Sequence, residues 1–220
     1  MVISMTKPLE QAIAKMREPP MTEADRFLSR RRVLAAGASA ATGLVLFPRT
    51  VFAQQDLSPT PACHDGDEPT LPETEGPFFK PKSPQRGDLR EPGIAGRPID
   101  LSGVVLTRSC RPVATALVDL WQADDGGEYD NKGFRLRGHV FTDAQGRYSF
   151  RTIIPGLYPG RTRHYHVKVR APSRPVLTTQ FYFPDEARNR TDAFFHRELV
   201  MQVADDEALR ARFDVVLAMR

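Results

Sequence analysis

Asp143-Ala144-Gln145-Gly146, followed by Tyr148-Ser149-Phe150-Arg151-Thr152-Ile153, decides the fold class. Asp and Gly at these positions make a turn. The run that follows is short, aromatic and β-branched, the composition of a strand. Working outward, Ile99–Thr107, Ala114–Trp121, His164–Val169, Leu177–Phe183, Glu198–Gln202 and Phe213–Met219 have the same texture and are bounded by turn residues. Arg111-Pro112 parts the first two, and Pro155-Gly156 punctuates the loop that carries Tyr158. One short helix is expected from about Asp205 to Arg212, where acidic residues lead and arginines follow. The sequence shows no strand–helix alternation, internal repeat or heptad. The expected architecture is therefore all-β, an antiparallel β-sandwich with long functional loops and an extended N-terminal arm.

Three stretches are expected along the chain: 1–53, a leader; 54–98, an arm rich in Pro, Gly and charge; and 99–220, the sandwich. The net charge of +4 sits in the leader. Residues 1–53 hold eight Lys or Arg against four Asp or Glu, and the rest holds 23 against 23. The basic balance thus says nothing about nucleic acid for the rest of the chain, and no nucleic-acid partner is expected. Ser29-Arg30-Arg31-Arg32-Val33-Leu34 opens an apolar stretch of small residues that runs to Phe47. Paired arginines ahead of a weakly apolar core mark twin-arginine export in bacteria, and Val51-Phe52-Ala53 offers a cleavage site before Gln54. The 15 residues Val33 to Phe47 fall short of the ~20 that span a bilayer. A cleaved signal and a periplasmic or secreted product are thus expected over a retained anchor. The mature part keeps two cysteines, Cys63 and Cys110. An oxidising compartment favours a bridge between them, worth roughly 4 kcal/mol on the chain-entropy account. The other reading has Cys110 simply buried and Cys63 free in the arm.

The chemistry-bearing residues lie near the middle. His164-Tyr165-His166 places two imidazoles at i and i+2 of a strand, hence on one face. A carboxylate commonly completes an iron(II) site of this kind, but no Asp or Glu lies close in sequence. Tyrosines do, at Tyr129 and Tyr158. A phenolate is a hard anionic donor suited to iron(III), and that pairing points to oxygen chemistry on a phenolic ring. Tyr148 and Tyr182 read as core residues with satisfied hydroxyls, His139 and His196 as surface or packing residues, and His64 as part of the arm. Arg137 and Arg163 could line a pocket or be solvated, and the sequence does not choose.

Several motifs occur in order: Val118-Asp119-Leu120-Trp121-Gln122-Ala123-Asp124, Gly127-Glu128-Tyr129, Leu136-Arg137-Gly138, Pro155-Gly156-Leu157-Tyr158, Arg161-Thr162-Arg163-His164-Tyr165-His166 and Thr179-Gln180-Phe181-Tyr182-Phe183. Together they resemble the intradiol ring-cleavage dioxygenases over most of residues 74–183. The resemblance implies ferric iron on Tyr129, Tyr158, His164 and His166, with a solvent hydroxide as fifth ligand. Binding to a trivalent ion would remove protons from phenols that otherwise ionise near pH 10. The resemblance also implies a catecholate substrate that displaces Tyr158, with both atoms of O2 entering a cis,cis-muconate-type dicarboxylate. Arg161 matches an arginine that stabilises carbanion-like substrate, Gln180 matches a pocket glutamine, and Trp121 would be a wall.

Some features depart from better-known members. Only five residues separate Tyr158 from His164, and the stretch from Tyr129 to Thr142 is compact. A shallower, more open cleft is expected. Phe78 stands where protocatechuate-type members can carry a tyrosine, so the resemblance implies a catechol or hydroxyquinol-like ring with its substituent open. No long N-terminal helical dimerisation region is present, which leaves a homo-oligomer open. The rival reading is a non-catalytic sandwich of the transthyretin or carboxypeptidase-regulatory type. Such modules share the Asp143–Phe150 turn and the Pro155–Tyr158 loop. They have no use for His164-x-His166 together with Tyr129.

Overall fold

The computed structural model describes residues 68–220, so the twin-arginine stretch, Cys63 and His64 lie outside the described residues. Nine strands form two sheets: β1 (Pro98–Thr107), β2 (Leu117–Trp121), β3 (Arg137–Phe141), β4 (Arg147–Ile153), β5 (His164–Arg170), β6 (Leu177–Tyr182), β7 (Gln202–Asp205), β8 (Leu209–Arg212) and β9 (Val215–Leu217). One sheet has the order β3-β2-β5-β6, antiparallel throughout. The other runs β4-β1-β8-β7, with β9 also on β1. Alternation builds the layers: along β1 every second residue is buried, and in β5 Tyr165, Val167 and Val169 face the core. The two sheets bury Leu101, Val105, Val118, Leu120, Phe150 and Val215 between them. Phe181 stacks on Phe213 at 4.2 Å between ring centroids, a contact worth about 0.5–1.5 kcal/mol beyond its area.

The all-β sandwich is as expected, with three corrections. The expected helix at Asp205–Arg212 is instead the end of β7, a turn, and β8. Acids followed by arginines also suit a hairpin, because Arg210 reaches Asp206 across the turn. The deciding signal is period two, since Leu209 and Ala211 are buried while Arg210 and Arg212 face outward. The second correction concerns direction. β8 and β9 run parallel to β1, pairing with Asp100–Ser102 and Val105–Thr107 respectively. Between them the chain breaks step at Phe213-Asp214. A Cβ at Gly103 would lie 1.8 Å from the Phe213 carbonyl oxygen, so only glycine lets the two backbones approach. Asp214 Oδ1 there accepts the Val104 N–H at 2.9 Å, and Tyr148 Oη donates to the Phe213 carbonyl at 2.6 Å. Third, β3 was not anticipated, and the strand expected at Glu198–Gln202 is a 3₁₀ turn at Arg197–Leu199 followed by β7.

The arm positions the site. Residues 74–85 cross the outer face of the four-stranded sheet, with an isolated bridge from Gln85 to His139, and the chain then runs beside β4 of the other sheet, bridging Asp88 to Arg151. Ser83 Oγ donates to Asp119 Oδ1 at 2.8 Å, Thr179 Oγ1 donates to the Leu71 carbonyl at 2.8 Å, and Lys168 pairs with Glu75. Cys110 is disulfide-bonded; its expected partner, Cys63, lies outside the described residues.

Candidate metal centre

Strand register assembles the site. Arg137, Trp121, His166 and Gln180 are direct cross-strand partners in one row across β3, β2, β5 and β6. Neighbours in a row share a face, here the outer face beneath the arm. All four are buried. His164, two residues before His166, lies on the same face with Tyr182 as its partner.

Two imidazoles and one phenol converge. His164 Nε2 is 3.1 Å from His166 Nε2 and 3.5 Å from Tyr129 Oη. His164 Nδ1 faces the Thr162 carbonyl at 2.7 Å. A carbonyl can only accept, so this bond puts the proton on Nδ1 and leaves a lone pair on Nε2. Trp121 stacks on His166 at 4.9 Å and 6°. Phe78 stacks on Tyr129 at 4.4 Å and 13°. Gly76 adopts φ +69°, and a Cβ there would press on His166 Cε1 at 3.3 Å, so the arm passes close over the ring. Trp121, Ala123 and Tyr129, with Phe78, Phe79 and Tyr158 against them, form a small apolar cluster separate from the main core.

Burial sets the charge of these groups. It pulls His164 down to about 4, with Arg161 adding to the effect. Burial, and after it His164, Arg161 and Arg137, holds His166 well below its ordinary value. Burial also pushes the Tyr129 phenol well above its ordinary value. The cluster sets uncharged donors in a poorly solvated place, which a positive ion would stabilise.

Of the residues expected here, Tyr129, His164 and His166 are in direct contact. Tyr158 is half-buried, with its ring edge-on to Tyr129 at 6.0 Å and to Phe78 at 5.4 Å. Arg161 and Gln180 meet, since Arg161 Nη2 donates to Gln180 Oε1 at 2.6 Å while Gln180 Nε2 donates to the Thr74 carbonyl at 3.0 Å. Tyr148 and Tyr182 are core residues bonded to the Phe213 and Phe194 carbonyls. His196 pairs with Glu73 at the surface. The two undecided arginines part company: Arg163 pairs with Glu186, whereas Arg137 is buried and donates to the Phe78 carbonyl at 2.7 Å and the Asp130 carbonyl at 3.1 Å. Sequence reasoning missed Asp192, whose carboxylate receives Arg161 Nε at 2.9 Å. No local pattern around Asp192 could have found it. Among the described residues no group of three or more His, Cys, Asp or Glu is placed to hold a metal ion.

Fold and site together define a class: a two-sheet sandwich carrying a buried His–Tyr donor cluster with an arginine–glutamine pair beside it. Residues 74–218 match the dioxygenase family model, and the chain belongs to the intradiol ring-cleavage dioxygenase family. It is 29% identical over 184 residues to hydroxyquinol 1,2-dioxygenase of Nocardioides simplex, covering 65% of this chain and 62% of that protein. It is 32% identical over 157 residues to the protocatechuate 3,4-dioxygenase beta chain of Burkholderia cepacia, covering 57% of this chain and 66% of that one. A solved structure, the dioxygenase domain of a dioxygenase carbohydrate-binding protein fusion from Streptomyces sp. SirexAA-E, superposes with a TM-score of 0.67 at 52% identity, covering 70% of this chain and 100% of that one. The chain spans 62% and 66% of the length of the two hydroxyquinol dioxygenases of Nocardioides simplex and Rhodococcus opacus.

Proposed function

We propose that this chain is an iron(III) intradiol dioxygenase acting on catechol or hydroxyquinol-type rings. The observation that carries the reading is the convergence of His164 Nε2, His166 Nε2 and Tyr129 Oη beside the Arg161–Gln180 pair. The donor set fits iron. The two imidazole Nε2 atoms, 3.1 Å apart, could serve as neighbouring ligands of one ion, and tyrosine supplies the hard anionic oxygen that ferric iron prefers. Tyr129, His164, His166 and Tyr158 would hold it, and Tyr158, the more exposed tyrosine, would be the donor open to a substrate. Bound iron would supply Lewis acidity and a template that ready the ring for reaction with O2.

The protein's own groups do the rest. His164 is held in one tautomer by the Thr162 carbonyl. Arg161 presents fixed positive charge where negative charge would gather on the ring, and Gln180 holds the guanidinium in place. Phe78, Phe79 and Trp121 keep water from the cluster. In the net reaction the bond between the two hydroxyl-bearing ring carbons breaks and both atoms of O2 enter the product, a cis,cis-muconate-type dicarboxylate. No further reductant is consumed. Membership of a dioxygenase family speaks against the non-catalytic binding module.

The twin-arginine stretch Ser29–Leu34 supports export, with cleavage after Ala53, to the periplasm or beyond. The deciding experiment is an anaerobic visible spectrum of iron-loaded protein before and after adding catechol. A tyrosinate-to-iron(III) band that moves to longer wavelength with catechol is the expected result. A colourless protein that takes up no iron on reconstitution would return the binding module to favour.

A further inference from the structure

We propose that Asp192 is a positioning residue for the reaction, acting through Arg161. It stands 31 residues beyond Arg161, in the loop after the 3₁₀ turn Ala187–Arg190. Its side chain is 1% exposed. Oδ2 accepts Arg161 Nε at 2.9 Å and the Thr162 N–H at 2.8 Å. Oδ1 accepts the Phe194 N–H at 2.9 Å and Arg161 Nε at 3.1 Å. Burial alone would raise this carboxyl, but the two peptide N–H groups and Arg161 outweigh it and hold the group below the usual range, so it is ionised at neutral pH.

The same loop packs the guanidinium from a second side. Arg161 Cζ lies 4.7 Å from the centre of the Phe194 ring, and Gln180 Oε1 takes Nη2. Arg161 is therefore fixed by an anion at Nε, an aromatic face and an amide at Nη2. Thr162 is pinned in turn, with its N–H on Asp192 and its carbonyl on His164 Nδ1. One buried carboxylate thus orients the cation of the site and steadies the peptide that orients a histidine. A long cationic side chain without such a partner would sample other rotamers and lose side-chain entropy on returning to the productive one.

The inference rests on the proposed dioxygenase reading, and its test is a double-mutant cycle on the iron-loaded full chain with catechol and O2. Asp192→Asn keeps the volume and removes the charge. It is expected to lower kcat on the order of 10–100-fold, as loss of an outer partner does at metal sites, with KM and iron content little changed. Arg161→Gln should lose at least as much, and the double variant no more than Arg161→Gln alone. Anaerobic titration with catechol, read by the visible band, gives a second readout and should report wild-type affinity for Asp192→Asn. The proposal is overturned by a wild-type kcat in Asp192→Asn, or by losses that multiply in the double variant. Should Asp192→Asn fail to fold, the smaller Asp192→Ser takes its place in the same cycle with the same two readings. A wild-type protein without turnover or a catechol-responsive band would sink the dioxygenase reading itself. An active wild type with multiplying losses would sink only the role of Asp192.

Discussion

Replacing Tyr129 by phenylalanine should move stability in opposite directions with and without iron. The ring stays, stacked on Phe78 at 4.4 Å, and only the hydroxyl is lost. That hydroxyl is buried and approaches His164 Nε2 at 3.5 Å, at the outer limit of a hydrogen bond. A poorly bonded buried hydroxyl costs roughly 1–3 kcal/mol by mutational measures, and the weak contact returns part of this. The metal-free Tyr129→Phe protein should therefore be as stable as wild type or more so by about 1 kcal/mol, a rise in Tm of up to roughly 2–4 °C for a domain of this size. With iron the order should reverse. The wild type gains stability from a ligand that binds only the folded state, whereas the variant has lost an anionic donor and gains less. Thermal unfolding followed by circular dichroism, on chelated and on iron-reconstituted samples, measures both, and the visible band should weaken in parallel. A metal-free variant destabilised by 1 kcal/mol or more, together with undiminished iron content, would refute the reasoning and make Tyr129 a structural hydroxyl.

Three further outcomes are expected. Tyr148→Phe removes the 2.6 Å bond to the buried Phe213 carbonyl and should cost about 1–3 kcal/mol, seen as a lower Tm with the iron band unchanged; a loss of the band would make Tyr148 part of the site. Gly103→Ala would drive a Cβ to 1.8 Å from the Phe213 carbonyl oxygen, and no side-chain rotation relieves a backbone clash, so soluble yield should collapse; a variant with wild-type Tm would disprove the close approach. Asp88, held by the Arg90 side chain, should titrate at about 2. Its folded value lies below the unfolded one near 3.9, so its contribution is present above pH ~4 and fades as pH falls toward 2. Carboxyl NMR should show Arg90→Ala returning that midpoint upward, and a wild-type midpoint near 4 would remove the effect.

The readable parts of the fold were those written in composition and turn signals. β1, β2, β4, β5 and β6 are short runs with β-branched or aromatic residues between turns, and each overlaps its expected range. Placing His164-Tyr165-His166 on a strand made the two histidines a pair on one face before any partner was known. β3 was unreadable because Arg137-Gly138-His139 has little strand propensity and is held by its neighbours, β2 on one side and the Gln85 bridge on the other. Residues 205–212 misled because charge order is shared by helices and hairpins, while the burial of Leu209 and Ala211 depends on a strand far away in sequence.

By itself, the sequence determined the all-β class, the facing histidines and the tyrosines at hand, because local alternation and turn chemistry act over a few residues. Only tertiary structure decided which groups meet. Tyr129 reaches His164 from 35 residues away, Asp192 reaches Arg161 from 31, and the arm's Phe78 covers Tyr129. Such contacts depend on sheet register and loop closure, which arise when two sheets bury a common core. No pattern confined to neighbouring residues encodes them.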